Sequence, residues 1–322
     1  MIGKPINESG IPAGKQQEDI SQGKEPEPAM TFIPRKPQYT LEQVILPEEV
    51  TAQVKNLLKL ADPLFRKMLY EEWELRKIDP FGENTAFLFY GPPGTGKTMC
   101  VEAFANALGK QVIDVSYSQI ESKYVGETGK NIVAAFEAAE KSGALLFFDE
   151  ADSILGSRMS NVTQAADQAV NVTRAVMLKE LDAFSGIVAF ATNFAKNIDS
   201  AFVRRIDKHI EIPLPTNKAR LVMFQKMISD KVPGKNNLDW DKLVTESEGF
   251  AGGDIKNAVV NSLVRVASEP KDRQLATTKV FVEEIGLVRK GRQNVGKSAP
   301  IVTERVIPLE QAKQEIKAKG YD

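Results

Sequence analysis

The sequence has one cysteine, Cys100, and one histidine, His209. A lone cysteine excludes an intramolecular disulfide and a thiolate metal cluster, and is consistent with a reducing compartment. A lone histidine excludes the paired-histidine zinc motif of metalloproteases and any Ser-His triad not built on His209. No apolar run approaches the ~20 residues needed to span a bilayer. The polar start (Lys4, Pro5, Asn7, Glu8) has no signal-peptide core. Excess charge is missing as well. Forty-two Lys and Arg face 43 Asp and Glu, for a formal net charge of −1, so there is no overall pull toward nucleic acid or anionic lipid. A cytoplasmic protein without membrane insertion is the simplest expectation.

What is present is length and apolar content. The 322 residues, 42% hydrophobic, suffice for one large domain and a smaller one. Residues 1–38 are rich in Gly, Pro, Gln, Lys and Glu and poor in apolar positions, so they read as a disordered tail. From 47 to 78, apolar residues at helical spacing (Val50, Val54, Leu57, Leu58, Ala61, then Leu64, Met68, Leu69) predict two helices parted at Pro63. Strands and helices then alternate. Strands are expected at Ala86–Tyr90, Gln111–Val115, Ala144–Phe148, Ile187–Ala191 and His209–Ile212. Helices are expected at 97–108, 129–141 and 164–182. This rhythm implies a parallel sheet with helices on both faces.

After Pro213 and Pro215 the strand pattern stops. Residues 216–230, 239–247, 252–268 and 278–287 read as a small helical domain. The expected division is a large domain at 39–214, a helical lid at 215–288, and a polar linker with a terminal helix at 289–322. That last stretch carries eight basic and four acidic side chains. A solvated tail and a nucleic-acid contact are its two readings.

Gly91-Pro92-Pro93-Gly94-Thr95-Gly96-Lys97-Thr98 follows a predicted strand, opens a predicted helix and fits the Walker A pattern. Its glycines let the backbone wrap phosphates, with N–H groups pointing inward at a helix N-terminus. Lys97 is expected on the β- and γ-phosphates, Thr98 on magnesium, and Met99 beside the nucleotide. Leu145-Leu146-Phe147-Phe148-Asp149-Glu150 is an apolar strand ending in two acids, the Walker B pattern. Asp149 is expected to orient magnesium and Glu150 to polarise the attacking water. Asn193 closes the next strand, where a neutral amide can hold the water and the γ-phosphate. Arg204 and Arg205 are either solvated surface charges or fingers supplied to a neighbouring subunit's ATP. Tyr124-Val125-Gly126, within the polar segment 118–130, is either a tyrosine packed on its own loop or an aromatic paddle gripping an extended polypeptide.

Taken together, these residues resemble the AAA subfamily of the AAA+ ATPases over roughly 40–288. The resemblance implies a P-loop NTPase sheet followed by an all-helical lid, with ATP and Mg2+ bound at the interfaces of a homo-oligomeric ring, usually a hexamer. It implies that Asn193 is sensor 1, that Arg204 and Arg205 act in trans, and that Tyr124, Val125 and Gly126 form a pore loop, with a second near 157–168. It further implies that Gly252 and Gly253, in Gly249-Phe250-Ala251-Gly252-Gly253-Asp254-Ile255, let the backbone approach the adenosine. The sequence departs from the family pattern in lacking the Pro-Gly between the two arginines. No second ATPase module, folded N-terminal adaptor or zinc-protease motif is expected. The implied activity is ATP-driven remodelling of a protein client. A nucleic-acid motor or loader, and a scaffold assembled by ATP, are the alternatives.

Overall fold

A computed structural model describes residues 30–78, 85–121, 127–156 and 165–294, with side chains omitted for 165–170. The first helix, α1 (Glu48–Ala61), buries Val50, Val54, Leu57 and Ala61 along one stripe and places Glu48 and Glu49 in its first turn, where acids suit the helix dipole. Asp62 then breaks the chain. Its carboxylate accepts from the backbone N–H groups of Leu64 and Phe65 at 2.8 and 3.0 Å, which caps α2 (Pro63–Lys67) with Pro63 in its first turn.

The central sheet holds β1 (Thr85–Tyr90), β2 (Val112–Val115), β3 (Leu145–Phe148), β4 (Ile187–Thr192) and β5 (Lys208–Glu211). All pairings are parallel, in the order β2-β3-β4-β1-β5. The predicted strands lie within a residue or two of these. Side chains alternate between two cores. Ala86, Leu88, Leu146, Phe148, Val188 and Phe190 face one, and Phe87, Phe89, Leu145, Phe147, Ala189 and Ala191 face the other. Burial on both faces explains why the strands read as unbroken apolar runs.

The remaining helices of this part are α3 (Lys97–Ala107), α4 (Tyr117–Ile120), α5 (Glu127–Ser142), α6 (Asp152–Leu155), α7 (Ala165–Ala183) and α8 (Ser200–Val203). Beyond Pro215 come α9 (Asn217–Met227), α10 (Trp240–Glu246), α11 (Gly252–Ala267) and α12 (Thr278–Asn294). They bury their own core around Phe224, Leu243, Phe250, Ile255 and Phe281.

Two expectations are corrected. Composition predicts a tail through residue 38, yet Phe32 packs into the first core and Arg35 forms an antiparallel bridge with Val112 on the edge strand β2. Arg35 is also ion-paired to Glu102 at 2.6 Å and to Asp114, and Glu102 accepts from the Gln38 N–H at 2.7 Å. One buried ring and one guanidinium order this stretch despite its polar composition. At the other end α12 runs to Asn294 rather than closing near 287, because Arg289 and Arg292 in its last turns bond the Glu246–Asp254 turn between α10 and α11.

Candidate nucleotide site

Strand order creates the site. β4 lies between β1 and β3, with Tyr90 opposite Thr192 and Phe148 opposite Phe190. The three loops that leave their carboxyl ends therefore emerge side by side. They are the Gly91–Thr98 loop, the Asp149-Glu150 turn and Asn193. Open α/β sheets bind ligands at this edge.

The loop takes its shape from glycine. Gly91 has φ +142°, and a Cβ there would lie 2.2 Å from the Ile212 carbonyl oxygen. No other residue fits. The Thr95 hydroxyl donates to the Pro92 carbonyl at 2.9 Å. Lys97 is buried, and its Nζ donates to the Gly91 and Pro92 carbonyls at 2.9 and 2.8 Å. The ammonium is thus held in the concavity of the loop. Burial lowers its pKa from the usual lysine value, and the Asp149 charge opposes that shift.

The Thr98 hydroxyl donates to Asp149 Oδ2 at 2.9 Å. A hydroxyl and a carboxylate in contact at the mouth of the loop form the hard oxygen set that suits Mg2+, so these residues fit the ion expected from the sequence. Glu150 follows with φ +50°, uncommon for a residue with a Cβ. The backbone on both sides of it is tied down. The Glu150 N–H donates to Asp149 Oδ1 at 2.9 Å, and the Ala151 N–H donates to the Ala191 carbonyl at 2.9 Å. The Thr192 hydroxyl donates to Asp152 Oδ1 at 2.7 Å and accepts from the Phe194 N–H at 2.9 Å. These bonds lock the turn that carries Glu150 to the turn that presents the exposed Asn193.

A cavity of about 490 Å³ unites these groups. Pro93 to Met99, Asp149, Glu150 and Asn193 line one wall; Gly252, Gly253, Met223 and Met227 come from the helical part. The two parts touch through backbone, since the Gly253 N–H donates to the Gly94 carbonyl at 3.0 Å. Sequence reasoning missed Tyr39, Gln43, Val44 and Ile45, which complete the lining together with Lys256. Their one legible signal is the apolar pair Val44-Ile45 just ahead of α1.

Arg204 and Arg205 do not line this cavity. Read as sequence, neither has an obvious partner within one chain. The structure corrects this for Arg205, whose Nε and Nη2 donate to the two Asp182 carboxylate oxygens at 2.7 and 3.0 Å. That hydrogen bond raises the already high pKa of Arg205. The Arg204 side chain is exposed and makes no ion pair or hydrogen bond among the described residues, while its backbone N–H donates to the Ser200 carbonyl at 3.3 Å. Tyr124, Val125 and Gly126 lie outside the described residues, as does most of the second expected pore loop. Among the described residues no helix is long and apolar enough to cross a membrane.

The profile of the ATPase family associated with various cellular activities (AAA) matches residues 87–214. The 26S proteasome subunit RPT4 of Saccharomyces cerevisiae is 37% identical over 182 residues, covering 54% of this chain and 41% of that protein. The proteasome-activating nucleotidase of Saccharolobus islandicus is 30% identical over 270 residues, covering 82% of this chain and 66% of that protein. Protein SUPPRESSOR OF K(+) TRANSPORT GROWTH DEFECT 1 of Arabidopsis thaliana is 34% identical over 190 residues, covering 58% and 44%. The chain therefore spans between 41% and 66% of the length of these relatives. The ordered motifs, the parallel sheet and these similarities place the chain in the AAA family of ATPases.

Proposed function

We propose that this chain binds and hydrolyses Mg-ATP in the cavity at the carboxyl edge of β1, β4 and β3, and uses that hydrolysis to remodel a protein client. One observation carries the reading: Lys97, the Thr98–Asp149 pair, Glu150 and Asn193, from three separate loops, converge on one cavity.

In this reading Gly94, Thr95 and Gly96 offer backbone N–H groups to the phosphates, and Lys97 leaves its two carbonyl partners to pair with them. Thr98 and Asp149 would hold magnesium, which supplies positive charge against the triphosphate when bound. Glu150 takes the proton of the attacking water, and its fixed backbone aims the carboxylate. Asn193 orients that water. Gly252 and Gly253 let the lid backbone lie close to the adenosine, and Met99, Met223 and Val44 supply apolar walls. In domain terms, residues 39–214 form the nucleotide-binding part and residues 215–288 the lid.

Arg204 lies outside the cavity of its own chain and faces solvent, which supports its delivery, with Arg205 beside it, to the ATP of a neighbouring subunit. The assembly in this reading is a homo-oligomeric ring, a hexamer in the family's manner. Tyr124, Val125 and Gly126 would face the pore and grip the client by packing. The relatives' names support a protein client, two of them being a proteasome subunit and a proteasome-activating nucleotidase. A free, buried Cys100 suits a reducing compartment such as the cytoplasm.

The test is a trap. Glu150→Gln should bind ATP and hydrolyse it at least ~100-fold more slowly, within the range for loss of a general base. A protein recovered with this variant in ATP but not in ADP, and released by Tyr124→Ala, supports the reading. Recovery of nucleic acid, or of the subunit alone, counts against it.

A further inference from the structure

The lid reaches the phosphate-binding loop through one short stretch of backbone, Gly249 to Gly253, and that stretch is gripped from behind. Its first support is Asp254. One carboxylate oxygen, Oδ2, accepts from the Ala251 N–H at 2.8 Å, which closes the N-terminus of α11 and puts a negative charge where the helix dipole favours one. The second support comes from α12. Arg292 Nη1 donates to the same Oδ2 at 2.8 Å and to the Gly249 carbonyl at 3.2 Å. Three residues earlier on the same face, Arg289 donates to the Glu246 carbonyl and, at 3.4 Å, to that of Glu248. The Glu246 carbonyl ends α10 and that of Glu248 lies just beyond it, where cations are favoured. Both guanidinium groups lie over the buried Phe250 ring, at 5.2 Å for Arg289 and 5.9 Å for Arg292.

The direction of force follows from the order of contacts. Arg292 holds Asp254, Asp254 holds the Ala251 N–H, and two residues on the Gly253 N–H meets the Gly94 carbonyl at 3.0 Å. Gly94 stands in the left-handed region with φ +76°, and a Cβ there would sit 3.4 Å from the Ala251 Cβ. Loop and lid therefore fit closely enough that a small shift of the α11 N-terminus is felt in the loop. Neither arginine lines the cavity itself.

We propose that Arg289 and Arg292 are positioning residues for the nucleotide: by clamping the Glu246–Asp254 turn they hold the α11 N-terminus against the phosphate-binding loop and so set the affinity for adenine nucleotides. The proposal rests on the reading of this cavity as the ATP site. It acts on binding rather than on the chemical step, because the clamp touches the loop through Gly94 and leaves Glu150 and Asn193 alone.

The experiment is nucleotide binding in the Glu150→Gln background, read with fluorescent ATP and ADP analogues on the full chain. Arg292→Ala should weaken both by ~10-fold, equivalent to about 1.4 kcal/mol, and kcat measured in the otherwise native chain should change less than threefold. Arg292→Lys should restore part of the affinity, since an ammonium reaches Asp254 but cannot also bridge to Gly249 and cover Phe250. If Arg292→Ala does not fold, Asp254→Asn keeps a cap acceptor and removes the ion pair, and should shift affinity in the same direction by less. Unchanged affinity with a lowered melting temperature would overturn the proposal, because the clamp would then be purely structural. If the unmodified cavity binds neither analogue, or if Lys97→Ala binds them equally well, the ATP reading itself fails and this inference falls with it.

Discussion

Thr98 and Asp149 stand 51 residues apart in the chain and meet at 2.9 Å. A helix start and a strand end thus supply one hydroxyl and one carboxylate to the same point, the pairing that a magnesium-dependent phosphoryl transfer calls for. Asp149→Asn should raise the magnesium concentration needed for half-maximal hydrolysis by tenfold or more, while Thr98→Ala, which keeps the carboxylate, should raise it less. A magnesium titration of steady-state ATPase checks both, and an unchanged magnesium requirement in Asp149→Asn would remove Asp149 from the ion's coordination.

The two adjacent arginines should behave differently. Arg204 faces solvent, whereas both Arg205 nitrogens that reach Asp182 are committed there. Arg204→Ala should cost about 10³-fold in kcat, the lower end of the range for an arginine finger. Arg205→Ala should cost less and should be partly reproduced by Asp182→Ala. Mixing Arg204→Ala with Lys97→Ala subunits tests delivery in trans, since each supplies what the other lacks. Activity in the mixture above the sum of the parts is expected; strict additivity would mean that the finger acts within its own chain.

Gly91 offers a backbone test that needs no ligand. Its φ is +142°, and a Cβ added there would meet the Ile212 carbonyl oxygen at 2.2 Å, so Gly91→Ala should displace the end of β1 from the residue after β5. A loss of about 2 kcal/mol is expected from strain of this kind, seen as a lower urea midpoint. Gly143→Ala is the control, for it has a positive φ but nothing within 4 Å, and it should lose less.

The strands were legible because burial on both faces leaves runs such as Leu145-Leu146-Phe147-Phe148 with no polar interruption. The phosphate loop was legible because its chemistry is local, eight residues in a row. What escaped was non-local. The Asp182 partner of Arg205 lies 23 residues upstream, and the Glu102 and Asp114 partners of Arg35 lie 67 and 79 residues downstream. Tyr39 and Gln43 join the cavity only because the chain ahead of α1 passes over α3. The last turns of α12 read as linker because Arg289 and Arg292 are polar, although their helical spacing aims both at Phe250.

The Arg35 clamp also has an energetic consequence. Glu102 is 4% exposed, on the helix that begins with Lys97 and Thr98, and Arg35 Nη2 donates to it at 2.6 Å. Those hydrogen bonds raise the Arg35 pKa above its ordinary value. Arg35→Ala leaves the buried carboxylate with the Gln38 N–H alone. A loss of about 2 kcal/mol is expected from an under-satisfied buried charge, measured by urea unfolding. Arg35→Ala combined with Glu102→Gln should recover part of it, because the neutral amide needs no counter-charge. If the double variant is worse than the single one, the arm is held by Phe32 and not by this pair.

Cys100 provides a way to watch the site open. Its side chain is fully buried two residues beyond Thr98 on α3, and burial pushes its thiol pKa up to about 12. Burial keeps the thiol protonated and out of reach of reagent, so the folded protein should resist alkylation and react only when α3 opens. If that opening disrupts the phosphate loop, a ligand at 100 times its Kd should slow labelling by about 100-fold, or about 2.7 kcal/mol. Labelling followed by mass spectrometry with and without Mg-ATP measures this. Prompt reaction without denaturant would contradict the buried thiol, whereas slow labelling indifferent to Mg-ATP would show that α3 opens while its phosphate loop stays formed.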